Sequence, residues 1–229
     1  MPVLSLTDVT VSFSGPPVLD NVSLHIDKGE RVCVIGRNGS GKSTLLKTIG
    51  GVYSLGVGSI TFPEGGQAAI LQQEIPQISD CKVFDVIASG FGTQGKDLSR
   101  IRNGETVVEL DPDAQWKMEQ RVERLSEDLG LCLDTPFQSL SGGMKRRALL
   151  GKVLSVKPSV LALDEPTNHM DIDSILWLEN YLLRSALSLI FVTHDRSFIR
   201  KLSTRIVEVD LAKLNSFRCD YETYLSRKA

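Results

Sequence analysis

The segment Gly36-Arg-Asn-Gly-Ser-Gly-Lys-Ser-Thr44 limits what this chain can fold into more than any other. It fits G-x-x-x-x-G-K-[ST], a spacing that carries meaning only where a strand enters the loop and a helix leaves it. Both flanks comply: Arg31-Val-Cys-Val-Ile35 reads as a buried strand and Thr44-Leu-Leu-Lys-Thr-Ile49 as a helix. Gly36, Arg37, Asn38, Gly39, Ser40 and Gly41 would then turn backbone N–H groups onto a phosphate, at a helix N-terminus that favours negative charge. Lys42 would bridge β- and γ-phosphates, Ser43 would offer its hydroxyl to Mg²⁺, and Thr44 would follow as the next residue of the cradle. This arrangement points to a nucleoside triphosphate.

At 229 residues the chain can bury a sizeable core, whether as one large domain or two small ones. A net charge of −2 gives no overall attraction to nucleic acid or to an anionic membrane, so any such contact needs a local patch. No apolar run approaches the ~20 residues that span a bilayer, and Met-Pro-Val-Leu-Ser-Leu has no features of a signal peptide. A cytoplasmic protein without direct membrane insertion is expected. Cys33, Cys81, Cys132 and Cys219 are scattered, with no C-x-x-C pair, and read as reduced structural thiols.

Alternating apolar residues over Val3–Phe13 and again at Val22, Leu24 and Ile26 predict half-exposed antiparallel strands. Short strands are expected at Ser59–Phe62 and Ala68–Leu71. Helical spacing begins with a short amphipathic helix around Val83–Ile87 and returns at Trp116–Leu129, where Gly130 supplies a C-cap. Between them, Phe91–Pro112 is rich in Gly, Asp, Asn and Arg and is expected to be a loop or a reduced insertion. The last third alternates strand and helix: Ser159–Leu163, then Ser174–Arg184, then Leu187–Thr193, then Arg205–Asp210. That order implies a parallel sheet with right-handed crossovers. Tyr221–Ala229 reads as the start of a polar helix.

Two strand ends carry chemistry. The first delivers Asp164 and Glu165 at the carboxyl edge of the sheet, where α/β folds place their ligands. Asp164 is suited to Mg²⁺, and Glu165 to orienting and polarising an attacking water. The second ends in Thr193-His194-Asp195, from which His194 would reach the γ-phosphate and stabilise its transition state. Further along the fold, Leu140-Ser141-Gly142-Gly143 opens the amphipathic helix Met144–Leu154, and a serine with two glycines at a helix start is a second anion site.

In this order, the phosphate loop, LSGG with its helix, LALDEPTNHMD and VTHD resemble the nucleotide-binding cassette of the ABC ATPases, over essentially the whole chain. Asn168-His169-Met170-Asp171 is similar to the ABC-F group of soluble tandem-cassette proteins, and the flanks to the first cassette of its Uup-type members. The resemblance implies an α/β fold of the P-loop NTPase type: a mainly parallel core sheet, an antiparallel β subdomain over about 1–30 and 58–71, and a helical signature subdomain over about 75–157. It implies that Phe13 stacks on adenine, where tyrosine is commoner. It implies that Gln73 is the Q-loop ligand to Mg²⁺ and the attacking water, the register with Gln72 being open. Ser141, Gly142 and Gly143 would contact the γ-phosphate held by a partner cassette, and Asn168–Asp171 would cross the dimer interface. Met144 departs from the usual glutamine after the glycines. One cassette where the group has two suggests a fragment, and the short 91–115 region implies a reduced arm insertion.

The function implied is an ATPase cassette that closes on ATP and Mg²⁺ against a second cassette, in the same chain or a second copy, and acts on ribosomes or RNA. Lys145-Arg146-Arg147 and Arg196, Arg200 and Lys201 are candidate RNA contacts. One alternative is the motor subunit of an ABC transporter, against which the NHMD sequence argues. Another is a nucleotide-gated DNA-binding protein, disfavoured by the absence of a coiled-coil or zinc-hook insertion.

Overall fold

The computed structural model describes all residues except 64, 77–79, 107–109, 169 and 229. Two compact units emerge: Met1–Gln73 with Pro158–Asn168 and Ile175–Ala229, and Glu74–Lys157 with His169–Ser174.

In the first unit, β1 (Pro2–Val11) pairs antiparallel with β2 (Leu19–Asp27). The predicted alternation is visible as Leu4, Leu6, Val9 and Val11 turned inward. The turn after β2 leads into β3 (Arg31–Ile35), and the phosphate loop joins β3 to α1 (Lys42–Ile49). β4 (Val57–Thr61) completes a three-stranded antiparallel sheet in the order β2-β1-β4. β5 (Ala68–Leu71) does not join it, contrary to the expected antiparallel grouping of 58–71. It pairs parallel with a strand of the larger sheet, Ala68 opposite Val160 and Leu71 opposite Leu163. An apolar four-residue strand is satisfied equally by either sheet, and alternation cannot choose between them.

The second unit is helical: α2 (Val83–Ala88), α3 (Thr93–Arg102), α4 (Pro112–Leu129) and α5 (Gly142–Ser155). α4 starts four residues before the expected Trp116, because Asp111 caps Ala114 N–H and Pro112 occupies the first turn, where no donor is needed. α3 contradicts the loop expected over Phe91–Pro112. Its Gly95 is a contact glycine: a Cβ there would overlap the carbonyl of Ala88. Leu98 is fully buried from the same helix, and Arg102 lies over the Phe84 ring at 4.3 Å. Phe84, Leu98, Val122, Leu125, Leu129, Phe137 and Leu150 are all nearly or fully buried in this unit.

The chain then returns to the first unit with β6 (Val160–Asp164). α6 (Ile172–Arg184) starts in the second unit and ends in the first. β7 (Ser188–Val192), α7 (Arg196–Leu202), β8 (Arg205–Asp210), β9 (Lys213–Phe217) and α8 (Tyr221–Lys228) follow. The larger sheet runs β5-β6-β7-β3-β8-β9, parallel except for β9, which the sequence reading did not anticipate. Every residue of β6 and β7 is buried, as strands covered on both faces require.

The two faces of that sheet can be told apart by residue parity. Val32, Val34, Ile190, Val192, Val207 and Val209 enter one apolar core with Leu45 and Leu46 of α1 and with β1 and β2. Phe191 packs edge-on against Phe198 of α7, and Glu208 accepts from the Tyr224 hydroxyl of α8. α1 thus lies between the two sheets, with α7 and α8 on the far side. Arg205, 4% exposed, ties the sheets together: its Nε donates to Ser216 Oγ at 2.8 Å, and Nη1 donates to His25 O at 2.9 Å and faces Glu30 at 3.4 Å.

Candidate active site

The loop has the geometry its sequence demands. Gly36 adopts φ 152°, and a Cβ there would stand 2.5 Å from Val209 O and 2.7 Å from Ser40 Oγ. Gly41, at φ 105°, begins α1 in a conformation that side-chain-bearing residues avoid. Lys42 Nζ donates to Gly36 O and Arg37 O, both at 2.9 Å, so the ammonium is folded back over the loop. Among the described residues Ser40 Oγ has no hydrogen-bond partner, a buried polar atom beside Gly36 in the loop.

Ser43 Oγ donates to Asp164 Oδ1 at 3.2 Å. Two hard oxygens at that spacing, from a hydroxyl and a carboxylate, match the oxygen chemistry of Mg²⁺, which takes few protein ligands and keeps several waters. Among the described residues no cluster of three or more His, Cys, Asp or Glu side chains could hold a metal by itself. Gln72 and Gln73 directly follow β5, whose Leu71 is opposite Leu163, so both lie at the same carboxyl edge as Asp164. The register between them is not decided by the backbone.

Glu165 is nearly buried and sits at φ 47°, with its N–H donating to Val192 O at 2.9 Å. Strain of this kind persists only where neighbours over-determine it. Here the neighbour is the switch strand: His194 N–H donates to Glu165 Oε2, and His194 Nε2 lies 3.3 Å from Oε1. Burial pushes the Glu165 carboxyl above its ordinary range, and the His194 contacts partly offset this. The imidazole is largely exposed. Thr167 and Thr193 hydroxyls meet at 3.3 Å in a buried contact and join the loop after Glu165 to the switch strand. Sequence reasoning passed over both threonines, although each lies inside a quoted motif.

Phe13 lies beyond the end of β1, 57% exposed, its ring edge-on to Tyr53 at 5.1 Å. Tyr53 was also missed; nothing in its glycine-rich surroundings marks it.

Ser141, Gly142, Gly143 and Asp171 belong to the second unit and form a cluster of their own. Ser141 Oγ accepts from Met144 N–H at 3.3 Å and caps α5, leaving methionine in place of glutamine without effect on the cap. Asp171 Oδ1 accepts from Ser174 N–H at 2.8 Å and Oδ2 from Ser174 Oγ at 3.0 Å. These bonds hold its carboxyl below the usual range. The carboxylate is engaged in starting α6. His169 of the same motif lies outside the described residues. The proposed RNA contacts need correction: Arg146 is 3% exposed, Lys201 pairs with Glu179 at 2.6 Å, and Arg200 pairs with Glu222. An amphipathic helix and a strand-end helix turn part of each basic cluster inward or onto acids, which a run of cations in sequence does not reveal. All four cysteines are free.

A profile of the family described as ABC transporter matches residues 19–168. The chain belongs to that family. It is an ABC ATPase cassette. Among curated relatives, the ATP-binding protein Uup of Escherichia coli is 40% identical over 245 aligned positions, covering all of this chain and 39% of that protein. The energy-dependent translational throttle protein EttA of Mycobacterium tuberculosis is 34% identical, covering 93% of this chain and 41% of its own length. The chain therefore spans about two-fifths of the length of these relatives. A nucleotide-free ATP-binding cassette from an ABC transporter superposes with a TM-score of 0.81 at 20% identity, covering 100% of this chain and 96% of that one. At that identity the likeness concerns the fold, an α/β cassette with a mainly parallel sheet. Among the described residues no helix is long and apolar enough to cross a membrane.

Proposed function

We propose that this cassette binds Mg·ATP on the Gly36–Thr44 loop and hydrolyses it as part of a soluble, cytoplasmic ABC-F machine that closes against a second cassette and acts on the ribosome. The observation that carries the reading is the Glu165–His194 contact at 3.3 Å beside a phosphate cradle, in a chain 40% identical to Uup. Phe13 stacks on the adenine, Lys42 neutralises β- and γ-phosphate charge, and Ser43, Asp164 and Gln73 hold the metal. The chemistry Mg²⁺ would supply there is neutralisation of the charge that develops on the transferring phosphoryl group. Glu165, held by the switch strand, takes the hydrogen bond of the attacking water, and His194 stabilises charge on the γ-phosphoryl oxygens.

Ser141, Gly142 and Gly143 serve the nucleotide of the partner cassette, and Asp171 fixes the turn that faces it. In this reading the chain has three working parts: the antiparallel sheet, the parallel core, and the helical part over about 75–157. It is one cassette of a tandem protein, consistent with its share of the relatives' length. The name of the relative EttA, a translational throttle protein, supports ribosomal RNA or protein as partner. The transporter-motor alternative draws on structures near 20% identity, which argue for the fold alone.

The test uses Glu165→Gln, which keeps the cradle and removes the water-orienting carboxylate. Sedimentation velocity with and without Mg·ATP shows whether this cassette pairs with itself or needs a different second cassette. Joined to that second cassette, the variant should co-sediment with ribosomes in ATP and release them in ADP. Equal ribosome binding in ATP, in ADP and without nucleotide would sink the coupling.

A further inference from the structure

A cavity of about 280 Å³ opens on the α7 and α8 side of the sheet, lined among others by Ile35, Lys42, His194, Arg196, Tyr221 and Tyr224. The nucleotide loop runs from β3 into α1, which lies on the opposite face in the core with β1 and β2. Gly36 and Lys42 of the loop line the cavity together with the two tyrosines of α8. It therefore adjoins the reacting end of the nucleotide from behind. Phe13, Ser43, Asp164 and Glu165 take no part in its walls.

The lining has a definite chemistry. Lys42 and Arg196 bring formal positive charge and Tyr221 brings a hydroxyl, whereas the Tyr224 hydroxyl is donated to Glu208 and His194 Nε2 faces Glu165. Ile35 and Ile199 supply apolar wall beside them. The acids nearby are engaged: Glu165 faces His194 at 3.3 Å, and Glu208 accepts from Tyr224 Oη at 3.3 Å and Lys228 Nζ at 2.9 Å. α8 is held in place by that Glu208 pair and by Arg200–Glu222, and its Tyr221 and Tyr224 rings lie nearly parallel with centroids 6.4 Å apart. Two cationic side chains beside a half-enclosed space favour a small polyanion, and about 280 Å³ leaves room for a tetrahedral anion together with waters that bridge it to the walls.

We propose that this chamber is a binding site for inorganic phosphate, receiving the product of hydrolysis behind Lys42 while ADP occupies the loop. The proposal rests on the ATPase reading of the Gly36–Thr44 loop. It gives Arg196 and Tyr221 a role in holding product, and α8 the role of outer wall.

The test titrates inorganic phosphate into the MgADP-loaded 229-residue chain, followed by ³¹P NMR line broadening. Arg196→Glu reverses one charge, and an acid at the first position of α7 suits a helix N-terminus, so the fold should be kept. Tyr221→Trp fills the mouth without a charge change. Both should weaken phosphate binding, Arg196→Glu by about tenfold or more, the scale of one charge-assisted hydrogen bond lost. Phosphate affinity unchanged in both variants would overturn the proposal, as would no phosphate binding by the MgADP-loaded wild type at tens of millimolar. Failure to bind MgADP at all would instead refute the nucleotide-loop reading on which it rests.

Discussion

Replacing Gly143 by alanine should destabilise the second unit, and replacing Ser174 by glycine should abolish that penalty. A Cβ at position 143 would overlap Ser174 Oγ and stand 2.9 Å from Ser174 Cβ and 3.4 Å from Asp171 Oδ2. Ser174 cannot swing aside without cost, because its N–H and Oγ both bond to Asp171. Overpacking of this kind costs about 1–3 kcal/mol. Against it stands a gain of up to about 1 kcal/mol from alanine over glycine within α5. The net loss is about 1–2 kcal/mol, or a fall in Tm of roughly 3–6 °C for a chain of this length. Ser174→Gly alone costs about 1–2 kcal/mol through the lost hydroxyl bond and glycine's entropy. In that background nothing opposes the added methyl, so Gly143→Ala should be neutral or stabilising by up to about 1 kcal/mol. The coupling energy from the double-mutant cycle is therefore about 2 kcal/mol, measured by thermal unfolding followed by circular dichroism. An equal penalty for Gly143→Ala in both backgrounds would show that the two sites do not meet and refute the packing argument.

Other outcomes follow from the catalytic groups. Glu165→Gln should bind ATP with near wild-type affinity and turn over at less than about one-tenth of the wild-type rate, because only water positioning is lost; phosphate release assays at saturating ATP decide it. Lys42→Ala should weaken ATP binding by at least about tenfold in equilibrium titrations, since the bridging charge is gone. Phe13→Ala should weaken ATP while leaving inorganic triphosphate unaffected, which competition measurements would read out. The pH dependence has a fixed sign. Glu165 must be ionised to act, and burial raises its pKa above the usual 4.5, so the acid limb of the rate profile lies above that value. His194 opposes the rise, so His194→Gln should move the residual limb to higher pH. The same raised carboxyl favours the folded state at low pH, and that contribution is lost as pH rises through its folded-state pKa.

The phosphate loop, Asp164, Glu165 and His194 were legible because each is a residue type fixed at a strand end, and strand ends are marked by continuous apolar runs. The antiparallel β1–β2 pair was legible from alternation. What stayed hidden depended on contacts between distant residues. Gly95 looks like a loop residue and is in fact a helix glycine pressed on Ala88. β5 chose its sheet through pairing with β6, which its four apolar residues do not specify. Arg146 reads as a solvated cation, but the face of α5 on which it falls is buried. Tyr53 beside Phe13, and Tyr221 and Tyr224 beside the loop, are aromatic residues that the chain brings back from elsewhere.

The buried guanidinium of Arg205 has a consequence for what the cassette can measure. Phe13 extends from the three-stranded sheet and the phosphate loop from the six-stranded one, and Arg205 with the shared apolar core fastens those sheets to each other. Under the proposed function, base platform and phosphate cradle are carried by sheets that hold a fixed spacing, as the jaws of a caliper do. A ligand would then be gauged by its length from ring to phosphate, and a shorter or longer one would meet only one jaw.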